Sequence, residues 1–279
     1  MARAHRPEPD EELSRAVEVF ARGYAFTRSV THPYLPERLP ERERQGGTGR
    51  PGAVWVLRDA PRRDPRRYRR EEWVGHGPGA ADLDAPARAH ARTHFVLSVI
   101  RALDEPAGPL REAYKSRGFR FGGGEPLMVH RLGRVPTSPA ARTADGRAVR
   151  TTRVTTSELA ERLGAATRRR PLGPELLAEE SPRRQYAALA AGEVVGWVSS
   201  VVVRLTDDSV ATWCADLYVP AEHRRRGIAR ALVARVLRDD RKYASTASVL
   251  TASRAGTELY RNAGYEQIGE LLLFQPPKP

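Results

Sequence analysis

One cysteine, Cys214, stands in 279 residues, so no disulfide forms within the chain and a reducing compartment is expected. Cys214 lies in an apolar stretch and reads as a small buried side chain rather than a nucleophile. No run of about twenty apolar residues is long enough to span a membrane, and no N-terminal apolar stretch resembles a signal peptide. A soluble cytoplasmic protein with no membrane partner is therefore expected. Lysine is almost missing: Lys115, Lys242 and Lys278 leave 44 of the 47 basic residues as arginine. With 34 acidic residues the formal net charge is +13. The arginine bias, alongside much Ala, Gly and Pro, points to a GC-rich coding sequence rather than a nucleic-acid surface. Such a charge favours polyanions in general. However, the chain has no recognition-helix pattern, no zinc-ligand spacing and no aromatic-basic sheet motif. Neither a specific nucleic-acid partner nor a metal is expected, and the Arg62–Arg70 run reads as a solvated segment. The Gly-Lys-Ser/Thr of a nucleotide phosphate loop is absent, as is the three-glycine dinucleotide fingerprint.

What the chain does have is concentrated at Asp216–Leu232. Leu217 and Val219 end a strand candidate. The basic turn Arg224-Arg225-Arg226-Gly227 follows, and Ile228 opens a helix whose apolar residues Ile228, Leu232, Val233, Val236 and Leu237 share one stripe. A helix start leaves backbone N–H groups without intrahelical partners and carries partial positive charge. A diphosphate suits that place. The arginines add formal charge, and Gly227 lets the backbone approach a ligand. A similar pattern at Arg44–Gly49 has neither a strand before it nor a helix after it and reads as a loop.

The remaining order supports the second site. Ala247–Ala252 is an apolar strand candidate. Thr257–Ala263 is helical and stops at Gly264, a suitable C′ residue, and Tyr265–Phe274 is a closing strand. Upstream, Arg153-Val-Thr-Thr is a short strand candidate, Ser157–Thr167 a helix capped by Ser157, and Pro174–Glu180 a second short helix. Gln185–Ala190 and Val194–Val203 form a hairpin that leads into a strand at Ala211–Val219.

Arg224-x-x-Gly227-x-Ala229 and Leu259-Tyr260-x-x-x-Gly264-Tyr265, separated and in this order, resemble the signatures of the GNAT superfamily of acyl-CoA-dependent N-acyltransferases. The resemblance covers about residues 151–276. It implies an α/β (α+β) fold with a mixed, mostly antiparallel sheet flanked by helices, and acetyl-CoA as co-substrate. It implies that Arg224, Arg225, Arg226, Gly227, Ile228, Ala229 and Arg230 surround the diphosphate. Backbone groups of Leu217, Tyr218 and Val219 would then face the pantetheine arm and polarise the thioester carbonyl. Tyr260 is the implied general acid, a phenol protonated at neutral pH that can donate to a departing thiolate. Ser253 stands where many members carry an asparagine that contacts the pantetheine arm; serine keeps hydrogen bonding with shorter reach. Asp216 is the nearest carboxylate that could serve as base. Strand alternation places it on the face of Cys214 and Tyr218, opposite Leu217 and Val219, unless a bulge intervenes.

The length suggests about two domains. Residues 135–150 are rich in Pro, Ala, Thr and Gly without apolar period and read as a linker between residues 1–134 and 151–279. The N-terminal part echoes the C-terminal one. Thr93–Ile100 is a strand candidate and Leu110–Phe119 a helix ending at glycine, while Tyr114-x-x-x-Gly118-Phe119 parallels Tyr260-x-x-x-Gly264-Tyr265. The strand, phosphate turn and long helix are not evident before Thr93. A tandem arrangement with a smaller, degenerate GNAT-like first copy is expected. The implied function is transfer of an acetyl group from acetyl-CoA to the primary amine of a small molecule, and a homodimer is compatible with the sequence. Acetylation of protein lysines or N-termini is the enzymatic alternative, and a non-catalytic acyl-CoA-binding regulator the other.

Overall fold

The computed structural model describes residues 8–27, 33–39, 53–137 and 140–277. The Arg44–Gly49 pattern lies outside the described residues. Two compact units emerge: Met1–Met128 with Thr251–Arg254 and Gln267–Pro279, and Val129–Leu250 with Ala255–Glu266.

The first unit begins with α1 (Pro9–Thr27), opened by a proline and by Asp10, Glu11 and Glu12 in its first turn. Its stripe of Leu13, Val17 and Phe20 is buried against β1 (Leu35–Arg38), β2 (Val54–Arg58), β3 (Glu71–His76) and β4 (Phe95–Ala102). Between β3 and β4 come a 3-10 segment, Gly77–Asp82, and the seven-residue α2 (Asp84–His90). After β4 come α3 (Ala107–Ser116) and β5 (Arg120–His130). The closing strand of the chain, β12 (Glu266–Gln275), pairs antiparallel with β4, giving the order β1-β2-β3-β4-β12-β5. Trp73, Leu97, Tyr114, Leu272 and Phe274 form the centre of this core.

The strand expected of a GNAT-like copy is not evident in the sequence before Thr93, yet β3 is there. It is buried along its whole length despite carrying Glu71, Glu72 and His76. The acids tolerate burial because each is satisfied. Glu71 accepts from Trp73 Nε1 (3.0 Å) and the Arg92 N–H (3.1 Å), and Glu72 accepts from Ser98 Oγ (2.6 Å). Strand, turn, short helix, strand, helix and strand therefore repeat the order of the second half in reduced form.

The second unit has the strand order β11-β10-β9-β8-β7-β6. Its members are β6 (Ala141–Arg142), β7 (Ala148–Arg153), β8 (Arg183–Ala190), β9 (Glu193–Arg204), β10 (Val210–Tyr218) and β11 (Ser248–Thr251). Neighbours from β6 to β10 are antiparallel, and β10 and β11 are parallel. The helices are α4 (Ser157–Thr167), α5 (Ile228–Lys242) and α6 (Thr257–Asn262). Thr156, not Ser157, caps α4, its hydroxyl accepting from the Leu159 N–H at 3.3 Å. The segment at 174–176 is a single 3-10 turn. The stretch expected to be a linker, residues 135–150, holds β6 and the start of β7, a hairpin joined through a tight turn at Asp145-Gly146. The predicted α5 stripe, Ile228, Leu232, Val233, Val236 and Leu237, is buried throughout. Under it lies a fully buried ion pair, Arg184 to Asp240 at 2.9 Å, with Thr212 Oγ1 donating to Asp240 at 2.7 Å.

Candidate active site

The site is built where β10 ends. The β10–β11 ladder consists of Thr212↔Ser248 and Trp213↔Val249 and stops there, although β10 continues to Tyr218. Beyond Trp213 the strand pairs only with β9, which opens a gap beside its last five residues. The corresponding parallel pair in the first unit, β3 and β4, stays zipped over six consecutive residues, Glu71↔Phe95 to His76↔Ile100. Among the described residues the β3–β4 pair shows no such opening.

An extra residue bulges β10 at the gap. Ala215 pairs with Ser199 and Tyr218 with Trp197, so three steps on one strand match two on the other. Asp216 absorbs the misfit in the left-handed region at φ 56°, which aspartate tolerates better than most residues. The bulge reverses the side-chain parity expected from simple alternation. Tyr218 lies on the face of Trp213, not of Cys214, and stacks on Trp197 with ring centroids 4.7 Å apart. Val219 is buried on the other side. A Cβ at Gly196 would sit 3.3 Å from Val219 Cγ2 and 3.2 Å from Ile228 Cγ2, so glycine there permits strand end and helix start to meet. Leu217 and Asp216 are half-buried, and the Asp216 carboxylate accepts from Arg169 Nη1 at 3.0 Å.

The loop that follows is shaped by its backbone. Arg224 is extended, Arg225 has φ 61° and Gly227 has φ 80°, with Arg226 between them on the ordinary side. Alternation of hand turns successive N–H groups toward one concave side, the arrangement that binds anions. The backbone N–H groups of Arg225, Arg226, Gly227, Ile228, Ala229 and Arg230 have no hydrogen-bond partner among the described residues, and the first intrahelical bond runs from the Ala231 N–H to the Gly227 carbonyl at 2.9 Å. Gly227 offers no capping side chain, and the first turn of α5 carries no acid, whereas that of α1 carries three. Arg225, Arg226 and Arg230 are exposed. Arg224 has a bracing role: its Nε donates to the Val219 carbonyl at 2.9 Å and its guanidinium lies 5.7 Å from the Tyr218 ring centre. The hairpin at 141–153 supports the loop from outside, through the Arg142 N–H to the Arg226 carbonyl at 3.4 Å. The donor set therefore fits a diphosphate: six free amides, a helix start and exposed guanidinium groups.

Tyr260 sits on α6, largely buried, with its ring edge-on to Tyr265 at 5.5 Å. Burial first, and then the neighbouring Cys214, push its phenol well above the usual tyrosine range, so it stays protonated. No hydrogen bond to the Tyr260 hydroxyl exists among the described residues, whereas the neighbouring Tyr265 hydroxyl is bonded to Ser248 Oγ at 2.9 Å. Tyr114, at the matching place in the first unit, is committed. Its hydroxyl accepts from the Leu83 N–H at 3.2 Å and donates to the Ala80 carbonyl. Burial foremost, with Asp240 and Asp216 nearby, raises the Cys214 thiol, which keeps it an inert core residue. His130 Nδ1 accepts from the Leu132 N–H at 2.9 Å, and burial holds this imidazole neutral. Ser253 is exposed and falls in the Thr251–Arg254 stretch grouped with the first unit. Among the described residues no helix is long and apolar enough to cross a membrane, and no group of three potential metal ligands occurs.

A splayed parallel pair, a bulged strand end and an amide-rich turn into a helix are what the resemblance to the acyl-CoA-dependent acyltransferases leads one to expect. Residues 181–267, which run from the start of β8 into β12, match the model of the acetyltransferase (GNAT) domain, and the chain thus carries a GNAT acyltransferase domain over that stretch. Over nearly its whole length the fold is similar to a GCN5-related N-acetyltransferase from Kribbella flavida, with TM-score 0.61, 17% identity and 96% of each chain covered. It is also similar to a Drosophila protein, with TM-score 0.53, 14% identity, and 98% of this chain and 99% of that one covered. A conserved protein from Staphylococcus epidermidis gives TM-score 0.51 at 17% identity over 84% of this chain and 95% of that one. At these identities the likeness is one of fold, and its extent agrees with two GNAT-like halves. No curated protein matches the chain.

Proposed function

We propose that the chain is an N-acetyltransferase that moves the acetyl group of acetyl-CoA to the primary amine of a small molecule, by direct attack in a ternary complex. The observation that carries this reading is the run of six unpartnered amides from Arg225 to Arg230 beside the opened end of β10. These amides, with Arg225, Arg226 and Arg230, hold the diphosphate. Backbone N–H groups of Leu217–Val219 stabilise negative charge on the carbonyl oxygen under attack. The uncharged amine attacks while both substrates are held in place, which supplies much of the rate. Tyr260 gives its proton to the leaving sulfur. In this scheme Asp216, whose carboxylate is held by Arg169 at the bulge, accepts a proton from the incoming amine. The first unit, with its closed β3–β4 pair and its engaged Tyr114, has no catalytic share in this scheme.

The test is thiol release from acetyl-CoA by the full chain against a panel of small amines and lysine-containing peptides. Turnover with one or more small amines and none with peptides supports the proposal. Turnover with peptides alone moves the acceptor to protein. Acyl-CoA binding with no turnover on either panel rejects catalysis.

A further inference from the structure

The far end of α5 carries a second polar cavity. It has a volume of about 240 Å³ and is lined by Thr152, Arg153, Glu179, Arg235, Asp239 and Lys242 among others. Arg153 ends β7, Glu179 follows the 3-10 turn at 174–176, and the other charged residues come from the last turns of α5. At 1.5 Å of rise per residue, the lining residues from Arg235 to Tyr243 lie roughly 10–22 Å along the helix from Ile228, so the cavity is separate from the diphosphate loop.

The charges here do not balance. Arg235 is paired with Asp239 at 3.2 Å, and Lys242 with Glu179 at 3.0 Å. Arg184, behind the cavity, takes Asp240 at 2.9 Å. Arg153 has no carboxylate partner among the described residues. Its Nη1 donates to the Tyr243 hydroxyl at 3.3 Å and its Nη2 to the Ala178 carbonyl at 2.9 Å, both neutral acceptors, and its Nε has no partner. It is only 7% exposed. The one carboxylate within reach, Glu179, is already taken by the Tyr243 hydroxyl at 2.7 Å and by Lys242. Nε and Nη1 of the neighbouring Arg184 are likewise buried without partners, and both guanidinium groups flank the Tyr243 ring, at 5.9 and 5.1 Å. A buried cation whose nearest carboxylate, Glu179, is shared with Lys242 is only partly compensated, and a bound anion removes the remaining cost. Three cations and two carboxylates line the cavity, leaving one net positive charge. The negative end of α5 opposes an anion there, but that is a partial charge set against a buried full one.

We propose that this cavity is a binding site for a single small oxyanion of phosphate size, with Arg153 as its anchor and Lys242 at its open rim. Arginine suits the role because its fork offers parallel donors to two oxygens.

The test is calorimetric titration of the full chain with inorganic phosphate, against sodium chloride at matched ionic strength. Three variants accompany the wild type: Arg153→Gln, Lys242→Gln, and a loop double variant, Arg225→Gln with Arg226→Gln. Phosphate is expected to bind the wild type and the loop variant alike. Arg153→Gln should weaken binding at least tenfold, and Lys242→Gln several-fold. Lys242 is two-thirds exposed, so its variant folds and decides the matter if Arg153→Gln does not. Wild-type phosphate affinity in a folded Arg153→Gln, or in Lys242→Gln where Arg153→Gln does not fold, overturns the proposal. Loss of the isotherm in the loop variant alone also overturns it, because phosphate then binds at the diphosphate loop.

Discussion

Replacing Tyr260 by phenylalanine separates catalysis from folding in this chain. The hydroxyl makes no hydrogen bond among the described residues, so deleting it orphans no protein group. The ring keeps its edge contact with Tyr265 at 5.5 Å. Stability should therefore change by no more than about 1 kcal/mol, a shift in Tm of a few degrees at most. If Tyr260 protonates the leaving thiolate, turnover should fall by about 10²–10⁴, the range for a positioned general acid, equivalent to about 3–5 kcal/mol in the barrier. Tyr114→Phe is the matched control. Its hydroxyl bridges the Leu83 N–H and the Ala80 carbonyl, so its loss leaves two buried groups unsatisfied and costs about 1–3 kcal/mol. It should leave turnover per folded molecule unchanged. Steady-state thiol release at saturating acetyl-CoA, together with thermal unfolding, reads both effects. Unchanged turnover in Tyr260→Phe refutes the acid. A Tm loss in Tyr260→Phe as large as in Tyr114→Phe refutes the contrast between a free and an engaged hydroxyl.

Further perturbations have defined outcomes. Gly227→Ala places a Cβ at an ordinary 3.5 Å from the Ala140 carbonyl oxygen, so its cost, about 1 kcal/mol by chemical denaturation, comes from φ 80° rather than from a clash. The same variant should weaken coenzyme A binding, because relaxing φ turns the amides away. Asp240→Ala leaves Arg184 buried and uncompensated and should cost about 3–5 kcal/mol, read from urea midpoints. Burial holds the phenols of Tyr114, Tyr186, Tyr260 and Tyr265 above the usual range. Above about pH 10 the unfolded chain ionises these groups while the folded chain does not. Stability should therefore drop with rising pH by up to about 1.4 kcal/mol per unit for each tyrosine; a flat alkaline profile would contradict that burial.

Local motifs carried the reading of the second half. Arg224-x-x-Gly227, the apolar spacing of α5 and the stop at Gly264 are encoded in neighbouring residues, so β10, α5, β11, α6 and β12 appear in the expected order. Features set by distant contacts were not legible. The strand at Glu71–His76 hides behind two glutamates that become acceptable only once Ser98, Trp73 and Arg92 satisfy them. The bulge at Asp216 is a mismatch with β9, which β10 alone allows but does not fix, and it reversed the face that simple alternation assigns to Tyr218. The 141–153 hairpin does carry an Asp145-Gly146 turn signal, but its arms, Ala141–Arg142 and Ala148–Arg153, lack apolar alternation. The helix α1 also carries local signals, a proline, three acids, then Leu13, Val17 and Phe20 at helical spacing, yet no expectation was drawn from them.

On the proposed function, the Arg224–Ala229 turn grips a diphosphate through main-chain amides. Calorimetry of the full chain with coenzyme A and with pantetheine, which lacks the diphosphate, tests it directly. Coenzyme A heats should weaken with salt and with Arg225→Gln/Arg226→Gln, and pantetheine should bind more weakly by about two orders of magnitude or more. Equal affinity for the two ligands, or no heat with coenzyme A, would contradict it.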